Sequence, residues 1–172
     1  MASESVGPQG SAILAAVKAA GVRFVAALPD ITTSAGLLWP LSKDPDLKLI
    51  RLCKEDEGVS ICAGLSFCGQ RAVLSMQMTG LLDSINAIRA VACEYQLPIC
   101  MLVGLLQKEP EKMPRESAKF GVRIVEPILD AMGIEYVNVE GPEDVARITP
   151  AIDKAYETSR PMVALIGRTV RP

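Results

Sequence analysis

The sequence predicts an α/β fold: a three-layer αβα domain around a six-stranded, parallel, doubly wound sheet. Two observations carry this prediction. Six short aliphatic runs alternate with segments of helical periodicity along the chain. Each run is apolar almost throughout, as strands covered by helices on both faces must be. Six such units use up the 172 residues, so one domain is expected over residues 10–172, after a flexible lead over residues 1–9. Right-handed crossovers then place every strand's carboxyl end on one edge, where open α/β sheets bind ligands.

The elements follow in order. Residues 11–20 are apolar at helical spacing, and Gly21 stops that helix. Residues 23–28 form the first strand, closed by Pro29. Asp30 or Thr32 caps the next helix, which Trp39-Pro40 ends. Residues 47–53 are the second strand and 55–69 the helix after it. Residues 72–77 are the third strand. Thr79-Gly80 opens a helix reaching about Tyr95, with Leu82, Ile85, Ile88 and Ala92 at helical spacing. That stripe faces either its own sheet or another subunit. The fourth strand covers 98–103. Residues 104–117 are long and polar, with Pro110 and Pro114 opposing a regular helix. Residues 118–132 are helical again, Pro127 either kinking this helix or sitting in its first turn. Residues 135–139 are the fifth strand. Gly141-Pro-Glu-Asp144 starts a helix with proline and acids in its first turn, and 161–166 close the sheet.

Composition removes several function classes. The net charge is −2, without a basic-aromatic pattern, which argues against general nucleic-acid binding. There is no histidine, so histidine acid-base chemistry and the common zinc sites are closed to this chain alone. The five cysteines form no C-x-x-C pair and lie in apolar runs, fitting reduced core thiols of a cytoplasmic protein. The first residues lack a signal-peptide pattern, and no run is long enough to span a membrane. Phosphate loops of the G-x-G-x-x-G and G-x-x-x-x-G-K-[ST] types are absent, against an NAD enzyme or a P-loop NTPase.

At the ligand edge the chain offers four loops, residues 28–34, 54–58, 77–83 and 104–117. The second holds Glu55-Asp56-Glu57-Gly58. Such acids are either helix-start residues favoured by the dipole or proton carriers at a binding site. The fourth interleaves Lys108, Lys112 and Arg115 with Glu109, Glu111 and Glu116. It is either a solvated mixed-charge loop or a lid that meets an anionic substrate.

Two segments together carry a resemblance. Lys54-Glu-Asp-Glu-Gly-Val-Ser-Ile-Cys-Ala-Gly64 and Met76-Gln-Met-Thr-Gly-Leu-Leu-Asp-Ser-Ile-Asn86 resemble the pyrimidine-binding (Pyr) domain of thiamine-diphosphate-dependent decarboxylases. Within that family the chain is most similar to sulfopyruvate decarboxylase alpha subunits, then to phosphonopyruvate decarboxylase, over residues 11–170. The resemblance implies that a glutamate opening the second helix hydrogen-bonds the cofactor's aminopyrimidine and promotes deprotonation of the thiazolium carbon. Family members place that glutamate nine residues before a helix glycine, with a small residue three after it. Glu55 meets both conditions through Gly64 and Gly58, and Glu57 fails the first. Gly58, Gln77 and Thr79 are the further cofactor-binding candidates; for Gly58, tight helix packing is the other reading. Asp30, Thr32, Lys108, Lys112 and Arg115 are the substrate candidates.

The chain departs from the family at Met78 and Leu82, where related enzymes carry Asn and Gly, and in the segment after strand four. A less polar pocket wall there points to a 2-keto acid other than sulfopyruvate. No Gly-Asp-Gly motif occurs, although the family holds diphosphate and Mg2+ through one. The resemblance therefore implies a beta subunit that supplies diphosphate and metal binding, no metal ligand from this chain, and a hetero-oligomer. Two alternatives share the pattern: a non-catalytic assembly or regulatory subunit of the same fold, and a flavodoxin-like small-molecule binding module.

Overall fold

The computed structural model describes residues 6–172. Six strands, β1 (Phe24–Ala27), β2 (Lys48–Arg51), β3 (Ala72–Gln77), β4 (Cys100–Gly104), β5 (Glu135–Val139) and β6 (Met162–Ile166), form one sheet in the order β2-β1-β3-β4-β6-β5. Every pairing is parallel. The strand order reverses between β1 and β3, so the topological switch point lies where these strands end.

Alternation along the strands builds two cores. Val25, Val73, Leu102 and Ala164 face α1 (Gly10–Ala19), α2 (Ser34–Leu38 in wide π geometry, continuing as Trp39–Leu41) and α7 (Ile148–Thr158). Leu74, Met76, Met101, Val103 and Leu165 face α3 (Glu55–Phe67), α4 (Met78–Asp83), α5 (Ile85–Ala87, continuing in π geometry over Ile88–Glu94) and α6 (Phe120–Met132). Burial on both sides explains why the four central strands read as apolar runs.

Several expectations are corrected. The helix expected to end at Trp39-Pro40 runs one residue past them, to Leu41. The helix after β3 is not continuous; it breaks at Ser84, whose N–H donates back to Gly80 O at 2.9 Å. Pro127 lies inside α6 on an exposed position, not in the first turn. The segment after Gly141 begins as a 3-10 turn, Pro142–Arg147, before α7. Its Asp144 accepts from the N–H groups of Glu140 (3.0 Å) and Gly141 (3.2 Å).

The expected flexible lead is only partly within the described residues, and there it is paired. Arg171 donates its N–H to Pro8 O and its Nε–H to Gly7 O, both at 2.9 Å, and Gln9 bridges Arg171 in parallel. Residues 1–5 lie outside the described residues. Not all cysteines are core thiols: Cys62 and Cys100 are buried, but Cys53 and Cys68 are exposed. Burial pushes the Cys62 thiol up to about 12. No helix among the described residues is long and apolar enough to cross a membrane.

Candidate functional site

The three acids at the start of α3 point to different tasks. Glu57, in the first turn, curls back so that Oε2 accepts from the N–H groups of Cys53 (3.2 Å) and Lys54 (3.3 Å). It is the returning acid of a capping arrangement. Asp56 pairs with Lys54 Nζ at 3.3 Å, and the same ammonium reaches Asp83 of α4 at 3.2 Å. Glu55 does neither. It is half-buried, and among the described residues no hydrogen bond or ion pair engages its carboxylate.

Glu55 is instead laid over α4. A Cβ placed on Gly80 would meet Glu55 Cγ, Cδ and Oε1 as its three nearest atoms, well inside van der Waals contact. The carboxylate thus lies at the carboxyl edge of the sheet, between the loops after β2 and β3. Gln77 ends β3, and its Oε1 accepts from Thr79 Oγ1 at 2.7 Å beside the same glycine. Glu55, Gln77 and Thr79 are therefore brought together on this edge. A free carboxylate there is chemically suited to accept a hydrogen bond from a heterocycle N–H, which fits the group that the resemblance implies.

Gly58 is not part of that edge. Its Cβ would fall on Leu74 and Leu52, at 2.7 Å from Leu52 Cδ1, so its lack of a side chain lets α3 approach the sheet. Met78 likewise is a packing residue. It is buried in the core, with Cε 2.9 Å from where a Gly121 Cβ would stand, and it packs α4 on α6. The expectation of a less polar pocket, and hence of a substrate other than sulfopyruvate, loses that support. The stripe after β3 divides: Ile88 and Ala92 are in the chain's own core, while Leu82 and Ile85 are half-buried.

The substrate candidates cluster one step along the edge. Asp30 is buried, and Oδ1 accepts from the N–H groups of Thr32 (2.6 Å) and Thr33 (2.9 Å); Oδ2 accepts from Thr33 Oγ1. Asp30 thus closes the turn before α2, whose N-cap is Thr33 rather than the expected Asp30 or Thr32. This turn crosses onto β4, where a Cβ on Gly104 would lie 2.9 Å from Thr32 Cβ and 3.1 Å from Asp30 Oδ1. Gly104 pairs in register with Gln77, which joins this cluster to the Glu55 side. A cleft of about 410 Å³ opens beside it, lined in part by Ile31, Thr32, Leu106, Lys108 and Arg168.

The segment after β4 is not a loose lid. The Lys108 side chain is fully buried; its Nζ donates to Glu109 O (2.9 Å) and Lys112 O (2.6 Å) and pairs with Glu140 at 3.0 Å. Two backbone carbonyls thus accept from the ammonium, and the Glu140 carboxylate faces it as an ion pair. Arg115 donates from Nε to Glu126 (2.9 Å), and from NH2 to Asp130 and the Tyr136 hydroxyl. Glu109 accepts from Ser117 Oγ (2.6 Å) and Ala118 N–H (3.0 Å), and the Ser117 bond leads in holding its carboxyl down at about 2. Lys112 is the loosest of the three cations, 3.6 Å from Glu109 and partly exposed.

The sequence marks Gly80 only as part of a helix start, and Lys54, Asp83, Glu140 and Arg168 have no site role in it. For Gly80 a signal existed, a glycine placed early in a helix where alanine is the better former. The ion pairs join residues too far apart in sequence to be read from it.

No family model matches the chain. Curated relatives do. The chain is 28% identical over 138 residues to "Sulfopyruvate decarboxylase subunit alpha" of Methanococcus maripaludis, covering 80% of each chain. It is 27% identical over 155 residues to the protein of that name from Methanocaldococcus jannaschii, covering 90% of each. To "Sulfopyruvate decarboxylase" of Methanosarcina acetivorans it is 30% identical over 161 residues, which are 92% of this chain and 40% of that longer one.

Proposed function

We propose that this chain, a relative of the sulfopyruvate decarboxylase alpha subunits, is the pyrimidine-binding subunit of a two-subunit, thiamine-diphosphate-dependent 2-keto acid decarboxylase. One observation carries the reading: of the acids opening α3, Glu57 is held by the cap and Asp56 by Lys54, whereas Glu55 presents an unengaged carboxylate on the ligand edge. Thiamine diphosphate, when bound, supplies the electron sink that lets carbon dioxide leave a 2-keto acid. Glu55 would accept the hydrogen bond from the aminopyrimidine and hold the proton balance there. Gln77 and Thr79 would be its neighbours at that group, and α4 covers one side of the carboxylate.

The diphosphate and Mg2+ belong to a beta subunit, because this chain has no Gly-Asp-Gly motif. That the longer relative is matched over 40% of its length supports a second unit of comparable or larger size. The substrate class is a small anionic 2-keto acid, sulfopyruvate included. Lys112 is the loop cation best placed to meet its charge, since Lys108 and Arg115 hold the loop together.

Decarboxylation by the complex of this chain with its beta subunit tests the reading. Glu55→Gln is expected to lower the rate by about 10²–10⁴-fold with assembly intact. Full activity in that variant would overturn the assignment and leave an assembly or regulatory subunit as the better description.

A further inference from the structure

We infer that Gly80 is a positioning residue for the Glu55 carboxylate: the bare Cα at the third position of α4 is the seat on which that carboxylate rests. This rests on the reading of Glu55 given above. Three observations lead to it. First, Gly80 is buried and has ordinary helical backbone, not the left-handed conformation that requires glycine elsewhere in the chain. Alanine is the better helix former there, so backbone geometry does not explain the residue. Second, what a side chain at Gly80 would meet is the functional group itself, Glu55 Cγ, Cδ and Oε1. Gly58 and Gly121 contrast with it, since their absent side chains make room for Leu74, Leu52 and Met78 of the core. Third, α3 and α4 also meet beside this contact, where Nζ of Lys54, the residue before Glu55, lies 3.2 Å from Asp83 Oδ2.

The consequence separates stability from function. The carboxylate has no hydrogen-bond or ion-pair partner among the described residues, so contact with α4 sets its place. The atoms that a Cβ would meet belong to a flexible surface side chain, which can give way without disturbing the core, at a cost comparable to the helix gain that alanine brings. Gly80→Ala should therefore leave the protein folded and move the carboxylate, and a misplacement of about 1 Å at a reacting group can cost on the order of a hundredfold in rate.

The test is a double-mutant cycle between Gly80→Ala and Glu55→Ala, read by thermal unfolding of the full chain. With Glu55 present, the alanine at position 80 is expected to give little or no rise in melting temperature. With Glu55→Ala it is expected to raise it, because the helix gain is no longer offset by the contact. Equal shifts in both backgrounds, or failure of Gly80→Ala to fold in both, would mean that Gly80 does not seat Glu55. In the complex, Gly80→Ala is expected to lower kcat and the rate of cofactor C2–H exchange by about a hundredfold with assembly unchanged. If Glu55→Gln abolishes exchange while Gly80→Ala leaves it intact, the seat is wrong and the role of Glu55 stands. If Glu55→Gln keeps full exchange, the role of Glu55 falls, whether or not the unfolding cycle shows coupling.

Discussion

Glu55 and Glu57 carry the same side chain two residues apart, and their surroundings separate them. Glu57 satisfies backbone N–H groups that a helix start leaves without partners, whereas Glu55 satisfies none. Glu57→Ala should therefore lower stability by about 1 kcal/mol, as loss of a helix-start acceptor does, and leave the decarboxylation rate within a few-fold. Urea unfolding paired with initial-rate measurements checks this; a large rate loss in the Glu57 variant with normal stability would exchange the two roles. Spacing to Gly64 favoured Glu55 by resemblance, and the capping geometry gives a separate reason for setting Glu57 aside. The contact with Gly80 was not legible, because it joins the starts of two helices, and only their packing brings residue 55 to residue 80.

At the scale of elements, the strands were legible and the segment after β4 was not. Burial on both faces leaves a mark in the sequence at the four central strands, and β3 and β5 begin and end where expected. Residues 104–117 show only interleaved charges, which a solvated loop and a fastened one share. Fastening depends on Glu126, Asp130, Tyr136 and Glu140, which lie beyond the loop. Because the Lys108 side chain is fully buried, Lys108→Met takes the nearer of two cations from Glu140, leaving it Arg168 at 3.6 Å, and should cost about 1–3 kcal/mol in urea unfolding. Adding Glu140→Gln should recover part of that loss, and no recovery would show that the pair is not the fastening. Glu109 makes a second prediction, in pH. Its folded-state carboxyl is depressed to about 2 from an ordinary 4.5, so its contribution is complete above the ordinary value and fades as pH falls toward 2. Glu109→Gln should flatten the stability-versus-pH curve in that window and leave its slope near neutrality unchanged, as acid titration followed by circular dichroism would record.

The whole molecule places its candidate chemistry on one rim. Both faces of the sheet are occupied by the two cores, and the opposite rim is closed by Arg71, which donates to Ala20 O at 2.7 Å and stacks on Tyr156. The remaining rim carries Glu55 and Gln77 at the switch between β1 and β3, and Thr32 and Gly104 beside them. It offers a carboxylate and amide edge suited to a heterocycle. A diphosphate with its metal needs a concentration of donors and acidic ligands, and the described residues contain no cluster of three metal-ligating acids or thiols. The two ends of the proposed cofactor therefore make unequal demands on this chain, and binding at the pyrimidine end alone forgoes the charge-assisted contacts that the diphosphate would make elsewhere. Calorimetric titration of thiamine diphosphate with Mg2+ should give no saturable heat on the isolated chain at concentrations that saturate its complex with the beta subunit. Full-strength binding by the isolated chain would show that the rim is a complete site, and the division of the cofactor between two subunits would have to be abandoned.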